Sequence, residues 1–289
     1  MRVAAVGEDG TLHSRARAET PKGALGSNVV DLIVQLAEDC RAELTNRSDV
    51  LAVAAAVPAI IDAETGVLIK LPNLRCLEGV NLRDELSRRL GVEAFLENDA
   101  TAAAIGENWL GASRGLDDSI CVTLGTGVGG GLIINGLPFR GKDGTAGEVG
   151  HICVEPEGVQ CGCGGRGCLE QYASATAVTR MAREDGLMFD TAIDVCDAAA
   201  AGNDIASGVF RRMGSCLGIG LAGLINVLNP EMIVIGGGVA AAWDHFIDIV
   251  RKEVITRSFR EPAERVKIVR AELGDDAGIL GAARSALSR

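Results

Sequence analysis

The sequence predicts an α/β protein of two lobes around a cleft. Three observations lead there. Apolar strand-like runs alternate with helical stripes; the alternation restarts after residues 114–118; and glycines cluster within 125–131, 162–167 and 236–238, mostly where predicted strands end. With 289 residues, 47% hydrophobic and 23% charged, the chain can bury a large core and does not have the composition of a disordered one.

In chain order, residues 1–6 and 12–18 pair as a hairpin around the turn Glu8, Asp9, Gly10. Ser27 is placed as the N-cap of a helix whose apolar stripe is Val30, Ile33, Leu36, Ala37, Cys40 and Leu44. The continuous apolar run 50–57 reads as a strand covered on both faces. A helix over 82–90 and a strand over 92–96 follow, and Asn98-Asp99 opens a helix over 100–110. Residues 114–118 read as a linker. Strands at 119–124 and 131–135 then flank a glycine loop, and long helices are expected over 169–184 and 204–228. A strand over 232–235, a helix over 239–254, a strand over 266–273 and a helix from about 277 complete the pattern. The predicted lobes are 1–112, joined by the last helix at 276–289, and 113–275.

A net charge of -11 argues against nucleic acid, which demands clustered Lys and Arg. Residues 1–6 run at once into a polar turn, too short for a signal core, and no apolar run is expected to span a bilayer; 219–228 is broken by glycine. The chain therefore reads as cytoplasmic, where nine cysteines are thiols or metal ligands before they are disulfides. Cys40, Cys76, Cys121, Cys153, Cys196 and Cys216 are scattered and read mostly as small core residues; His13 and His245 read as structural or surface residues.

The strongest local signal is His151 with Cys161, Cys163 and Cys168. One imidazole and three thiolates make a closed tetrahedral Zn²⁺ set, and Gly162, Gly164, Gly165 and Gly167 supply the turns of a tight knuckle. Incidental thiols and disulfide pairing are the alternatives.

Gly147-Glu148-Val149-Gly150-His151, followed by 161–170 with its Cys-Gly-Cys-Gly-Gly-Arg-Gly-Cys-Leu-Glu run, resembles the signature of the ROK family of repressors and sugar kinases. The spacer 154–158 and the continuation Gln171-Tyr172-Ala173-Ser174 are most similar to its glucokinase branch. The resemblance implies a two-lobed actin-like ATPase (ribonuclease H-like) fold and an ATP-dependent hexose kinase, with Mg²⁺ accompanying ATP and glucose the favoured sugar. It also implies a homo-oligomer, dimer or tetramer. A sugar-responsive regulator and a catalytically silent sugar-binding protein are the alternative functions.

By resemblance Asn98, Asp99, Glu148, His151 and Glu170 line the hexose site, with one ring nitrogen of His151 on zinc and the other toward a sugar hydroxyl. Asp99 is expected to be the catalytic base; a plain helix N-cap is the competing role. Asn73, in a loop that resembles one near the sugar, is a further candidate, with a plain turn as the competing reading. Gly125, Thr126 and Gly127 are similar to the family's second phosphate loop, though a tight turn also explains the glycines. Gly236, Gly237 and Gly238 are similar to its adenosine motif. The family's kinases begin with a strand ending in Asp-x-Gly-Gly-Thr, which does not occur here, and residues 1–6 resemble their second strand. The expectation is an exposed sheet edge and a chain that binds hexose but transfers phosphate poorly, whether through a misassigned start or a real loss.

Overall fold

The computed structural model describes residues 1–21, 23, 25–45, 50–62, 64–71 and 74–288. Its first part contains the hairpin β1 (Arg2–Val6) and β2 (Leu12–Arg17), α1 (Gly26–Ala42), β3 (Ala52–Val57), a short antiparallel pair β4 (Ile60–Ile61) and β5 (Leu68–Lys70), α2 (Leu82–Leu90) and β6 (Glu93–Asn98). β6 runs directly into α3 (Asp99–Leu110). The second part contains β7 (Ser119–Leu124), β8 (Val128–Ile134), β9 (Leu137–Pro138), α4 (Glu170–Ala173), α5 (Ala175–Glu184), α6 (Ala192–Ala200) and α7 (Asp204–Leu228). It continues through β10 (Met232–Gly236), α8 (Trp243–Arg257), α9 (Arg260–Arg265) and β11 (Lys267–Arg270), and α10 (Ala277–Leu287) ends the chain.

One five-stranded sheet, in the order β11-β10-β7-β8-β9, organises the second part. β11, β10 and β7 are parallel, whereas β8 and β9 return antiparallel. β7 and β10 lie side by side with Thr123 opposite Gly236, so the glycine segments that follow both strands leave the sheet at the same edge. That is where an α/β sheet offers a crevice to ligands. Helix α7 fills the underlying core through Val209, Phe210, Met213, Leu217, Leu221 and Ile225. By length and composition α7 could cross a membrane, an exception to the sequence reading, but most of its apolar stretch is buried inside the protein.

A second core cluster, with Val29, Val30, Leu68, Leu71, Leu82, Leu86 and Leu90, holds α1 and α2 against the sheet pair β3–β6. Between the two cores α3 is buried from Ala100 to Glu107 and crosses α10 at glycine contacts. A Cβ on Gly281 would lie 1.6 Å from the Ala102 carbonyl oxygen, and one on Gly106 2.2 Å from that of Ala277. Any side chain there would force the helices apart, at roughly 1–3 kcal/mol or more. The buried Glu107 carboxylate fixes the junction, accepting from the amides of Ala112 at 2.8 Å, Glu272 at 3.1 Å and Leu273 at 2.9 Å.

Several local expectations are corrected. Ser27 is not the N-cap: Leu25 is, without a side-chain bond, because Gly26 sits so close to the Cys76 carbonyl that the helix starts there. The 169–184 helix breaks at Ser174, whose extended backbone lets Ala175 donate to the Gly125 carbonyl while its hydroxyl caps α5. The last strand stops at Arg270: Ala271 N still donates to the Ile235 carbonyl, but the amides of Glu272 and Leu273 turn to Glu107. α8 begins only at Trp243, after a 3₁₀ turn over Gly238–Ala242. β3 is only half-buried, not covered on both faces. Cys76 and Cys153 are exposed, while Cys40, Cys121 and Cys216 are in the core.

Candidate functional site

The glycine strand β8 is the floor of the site. Its residues alternate faces, and each face accepts backbone that no side chain would admit. A Cβ on Gly129 would lie 2.8 Å from the Ala100 methyl, and one on Gly131 2.5 Å from that of Ala104. This face seats the start of α3. On the other face a Cβ on Gly130 would meet the Gly147 carbonyl at 2.4 Å, which seats the segment leading to Glu148. The predicted loop glycines therefore divide into two groups: 125–127 form a loop, and 129–131 are strand residues selected by close packing.

On the first face, Asn98 and Asp99 share the helix start unequally. Asn98 Oδ1 accepts from Ala100 N at 3.0 Å and Thr101 N at 3.1 Å, so Asn98 is the N-cap. Asp99 is the first helical residue; its carboxylate takes one bond, from Ala100 N at 2.9 Å, and still opens on solvent. Protein crowding nevertheless displaces enough water from this open position to raise the Asp99 carboxyl pKa from its ordinary value. A raised carboxyl pKa makes a stronger base once ionised.

On the second face, Val149–His151 forms a 3₁₀ turn that puts the two nitrogens of His151 to different uses. Nδ1 lies 3.7 Å from Cys161 Sγ, and Nε2 lies 3.8 Å from the Glu148 carboxylate. Cys163 and Cys168 bring their sulfurs to 3.7 Å, and the ligand atoms of His151, Cys161, Cys163 and Cys168 all lie within 4.8 Å of one another. That donor set and its closeness fit one tetrahedral Zn²⁺. The fit extends to backbone: Gly165 N donates to Cys163 Sγ at 3.3 Å and lowers that thiol, favouring thiolate, while Gly167 has φ +67° and leaves no room for a Cβ beside the Glu155 carbonyl. Burial pushes the Cys168 thiol up to about 12, which a cation would oppose.

The knuckle ends on Glu170, and this carboxylate reaches the glycine loop. Its Oε2 accepts from Val128 N at 3.1 Å, and a Cβ on Gly127 would be 2.3 Å from the same oxygen. Thr176 and Ala175 hold the loop from below, donating to the Thr126 and Gly125 carbonyls at 2.8 Å each. Gly237, at φ +86°, packs its backbone on Leu124 just before the loop. The structure thus gathers Asn98, Asp99, Glu148, His151, Glu170, Gly125, Thr126, Gly127, Gly236, Gly237 and Gly238 around β8 and the adjoining end of β10; Asn73 lies outside the described residues. Thr176 and Arg140 were not singled out from sequence, and Gln171, which points its amide at Cys161 Sγ from 3.7 Å, entered only through the resemblance and not as a site residue. Nothing in their spacing marks them.

The fold and this site define a two-lobed α/β protein of actin-like ATPase architecture, with glycine loops at a sheet edge and the Glu170 carboxylate held beside one of them. The ROK family model matches residues 1–289, and the chain belongs to the ROK family. It is 36% identical over 295 residues to the glucokinase of Thermotoga maritima, covering 97% of this chain and 92% of that protein. A solved ROK glucokinase from Streptomyces griseus, in complex with glucose and AMPPNP, superposes with a TM-score of 0.83 at 33% identity, covering 99% of this chain and 95% of that one. A ROK transcriptional regulator homologous to E. coli MLC superposes with a TM-score of 0.86 at 26% identity, covering 98% of this chain and 74% of that one.

Proposed function

We propose that the chain is an ATP-dependent hexose kinase that phosphorylates glucose at its primary hydroxyl. One observation carries the reading: β8 packs the start of α3, which carries Asp99, on one face and the segment leading to Glu148 and His151 on the other, while Glu170 bonds the Val128 amide at its start beside the glycine loop. In this reading Glu148, Glu170, His151 and Asn98 hold sugar hydroxyls, each a directional donor or acceptor. Amides of 125–127 and the Thr126 hydroxyl face the phosphates of ATP, which arrives with Mg²⁺, and 236–238 face the adenosine. Asp99 takes the proton of the attacking hydroxyl as the sugar oxygen bonds to the γ-phosphorus and the bond to the bridging oxygen breaks, releasing ADP. Zn²⁺ on His151, Cys161, Cys163 and Cys168 is structural: it fixes the ring that meets the sugar.

The regulator likeness offers a second reading, and the net charge of -11 weighs against it. We place the lobe division near 112–113, with α10 joining the first lobe, as its packing on α3, β3 and β6 supports. Homo-oligomeric assembly is supported by the exposed Val227, Ile255 and Phe259 on and just beyond α7 and α8, and a cytoplasmic setting suits nine free cysteines. The test is a coupled assay of glucose, mannose and N-acetylglucosamine with ATP or polyphosphate. ATP with glucose is expected to give the highest kcat/KM; no turnover in any combination, with a shift of duplex DNA in a gel, would favour the regulator.

A further inference from the structure

The site's two halves are joined by one ion pair. Glu97 is the penultimate residue of β6, immediately before Asn98 and Asp99, and its side chain is 7% exposed. A buried carboxylate needs a partner, and Glu97 takes its partner from the other part of the chain. Arg140 donates from Nε at 3.1 Å and from Nη2 at 2.5 Å to Glu97 Oε2, with a longer Nε contact of 3.4 Å to Oε1. Ser285 on α10 adds its hydroxyl to Oε2 at 3.4 Å.

Arg140 in turn opens the segment that ends at Glu148. Its carbonyl accepts from Ala146 N at 3.1 Å, closing residues 140–146 into a loop, and Gly147 and Glu148 follow at once. One guanidinium is therefore tied through its side chain to the strand that delivers Asp99 and through its backbone to the loop that delivers Glu148. A planar fork bonded to a carboxylate fixes direction as well as distance. Among the described residues none of the hydrogen bonds that hold the nucleotide-side glycines of 125–127 and 236–238 involves this pair; these segments rest on Thr176, Ala175, Glu170 and Leu124.

We infer that Arg140 is a positioning residue for hexose phosphorylation: paired with Glu97, it sets the distance between the Asn98–Asp99 turn and the Glu148–His151 turn, and so governs how the hexose hydroxyl meets its base. The inference rests on the assignment of Asn98, Asp99, Glu148 and His151 to the hexose site. A misplacement of about 1 Å at reacting atoms can cost about a hundredfold in rate.

The test is initial-rate kinetics of Arg140→Ala and Arg140→Lys, with glucose and ATP varied separately and rates normalised to folded enzyme by active-site titration. Arg140→Ala is expected to lower kcat/KM for glucose about a hundredfold while KM for ATP changes less than about twofold. Arg140→Lys keeps the charge without the fork and should recover part of the loss. If Arg140→Ala proves too unstable to assay, Arg140→Lys alone decides, with a loss of about tenfold expected in kcat/KM for glucose and a change of less than about twofold in KM for ATP. Unchanged glucose kcat/KM, whatever the melting temperature, would overturn the inference, because the pair would then only stabilise the fold; so would a KM for ATP raised about tenfold or more. Asp99→Asn run alongside separates the two levels: if it retains turnover, the site assignment itself has failed.

Discussion

Glu148 and Glu170 flank the same knuckle but answer to different neighbours. Glu148 touches His151, whereas Glu170 also accepts from the Val128 amide of the glycine loop. Removing a carboxylate that meets a sugar hydroxyl leaves that hydroxyl unpaired, at about 1–3 kcal/mol. Glu148→Ala should therefore raise KM for glucose by about tenfold and leave KM for ATP alone, while Glu170→Ala should raise both. Steady-state kinetics with each substrate varied checks this, and equal profiles for the two variants would contradict it. Sequence alone placed both acids in the site but did not separate them, because the distinguishing contact joins residues 128 and 170, far apart in the chain. It likewise left open whether Asp99 or its neighbour caps α3; the geometry gives the cap to Asn98 and leaves Asp99 a single backbone bond.

At the level of elements, the His151–Cys168 knuckle was the most legible feature, since one histidine and three cysteines within eighteen residues can converge without help from the rest of the fold. The glycine run was legible only as glycine. Close approach of α3 to Gly129 and Gly131, and of Gly147 to Gly130, is a tertiary fact that no local pattern carries. The break at Ser174 is of the same kind, because Ala175 is drawn to the Gly125 carbonyl. If the knuckle holds zinc as read here, elemental analysis of chelator-free protein should find one Zn²⁺ per chain. Stripping the metal should lower the melting temperature and weaken glucose binding, as the His151 ring loses its anchor. Metal-free protein with unchanged melting and glucose affinity would refute the structural role.

Across the whole molecule, alternation and its restart after residues 114–118 gave the α/β class, the two lobes and the order of elements, and the resemblance gave the actin-like architecture. What neither gave was the sheet arrangement. Among the described residues β1–β2 and β3–β6 are separate two-stranded sheets, and no ladder joins β1 to β3 although both pack on α10. Such edges are protected by few neighbours. Hydrogen exchange should show β1 and β3 amides exchanging about tenfold or more faster than those of β7 and β10, which are hydrogen-bonded on both sides; equal protection would mean that the first part is as stable as the second.

The central claim is that Asp99, delivered by β6 onto the glycine strand, is the base of a hexose kinase. Asp99→Asn keeps the shape of the side chain and its bond to Ala100 N but removes the base, so it tests that claim most directly. Turnover of glucose with ATP should fall by about a hundredfold or more, while glucose affinity measured by calorimetry stays within about threefold of the parent. Near-normal turnover in Asp99→Asn would contradict the account.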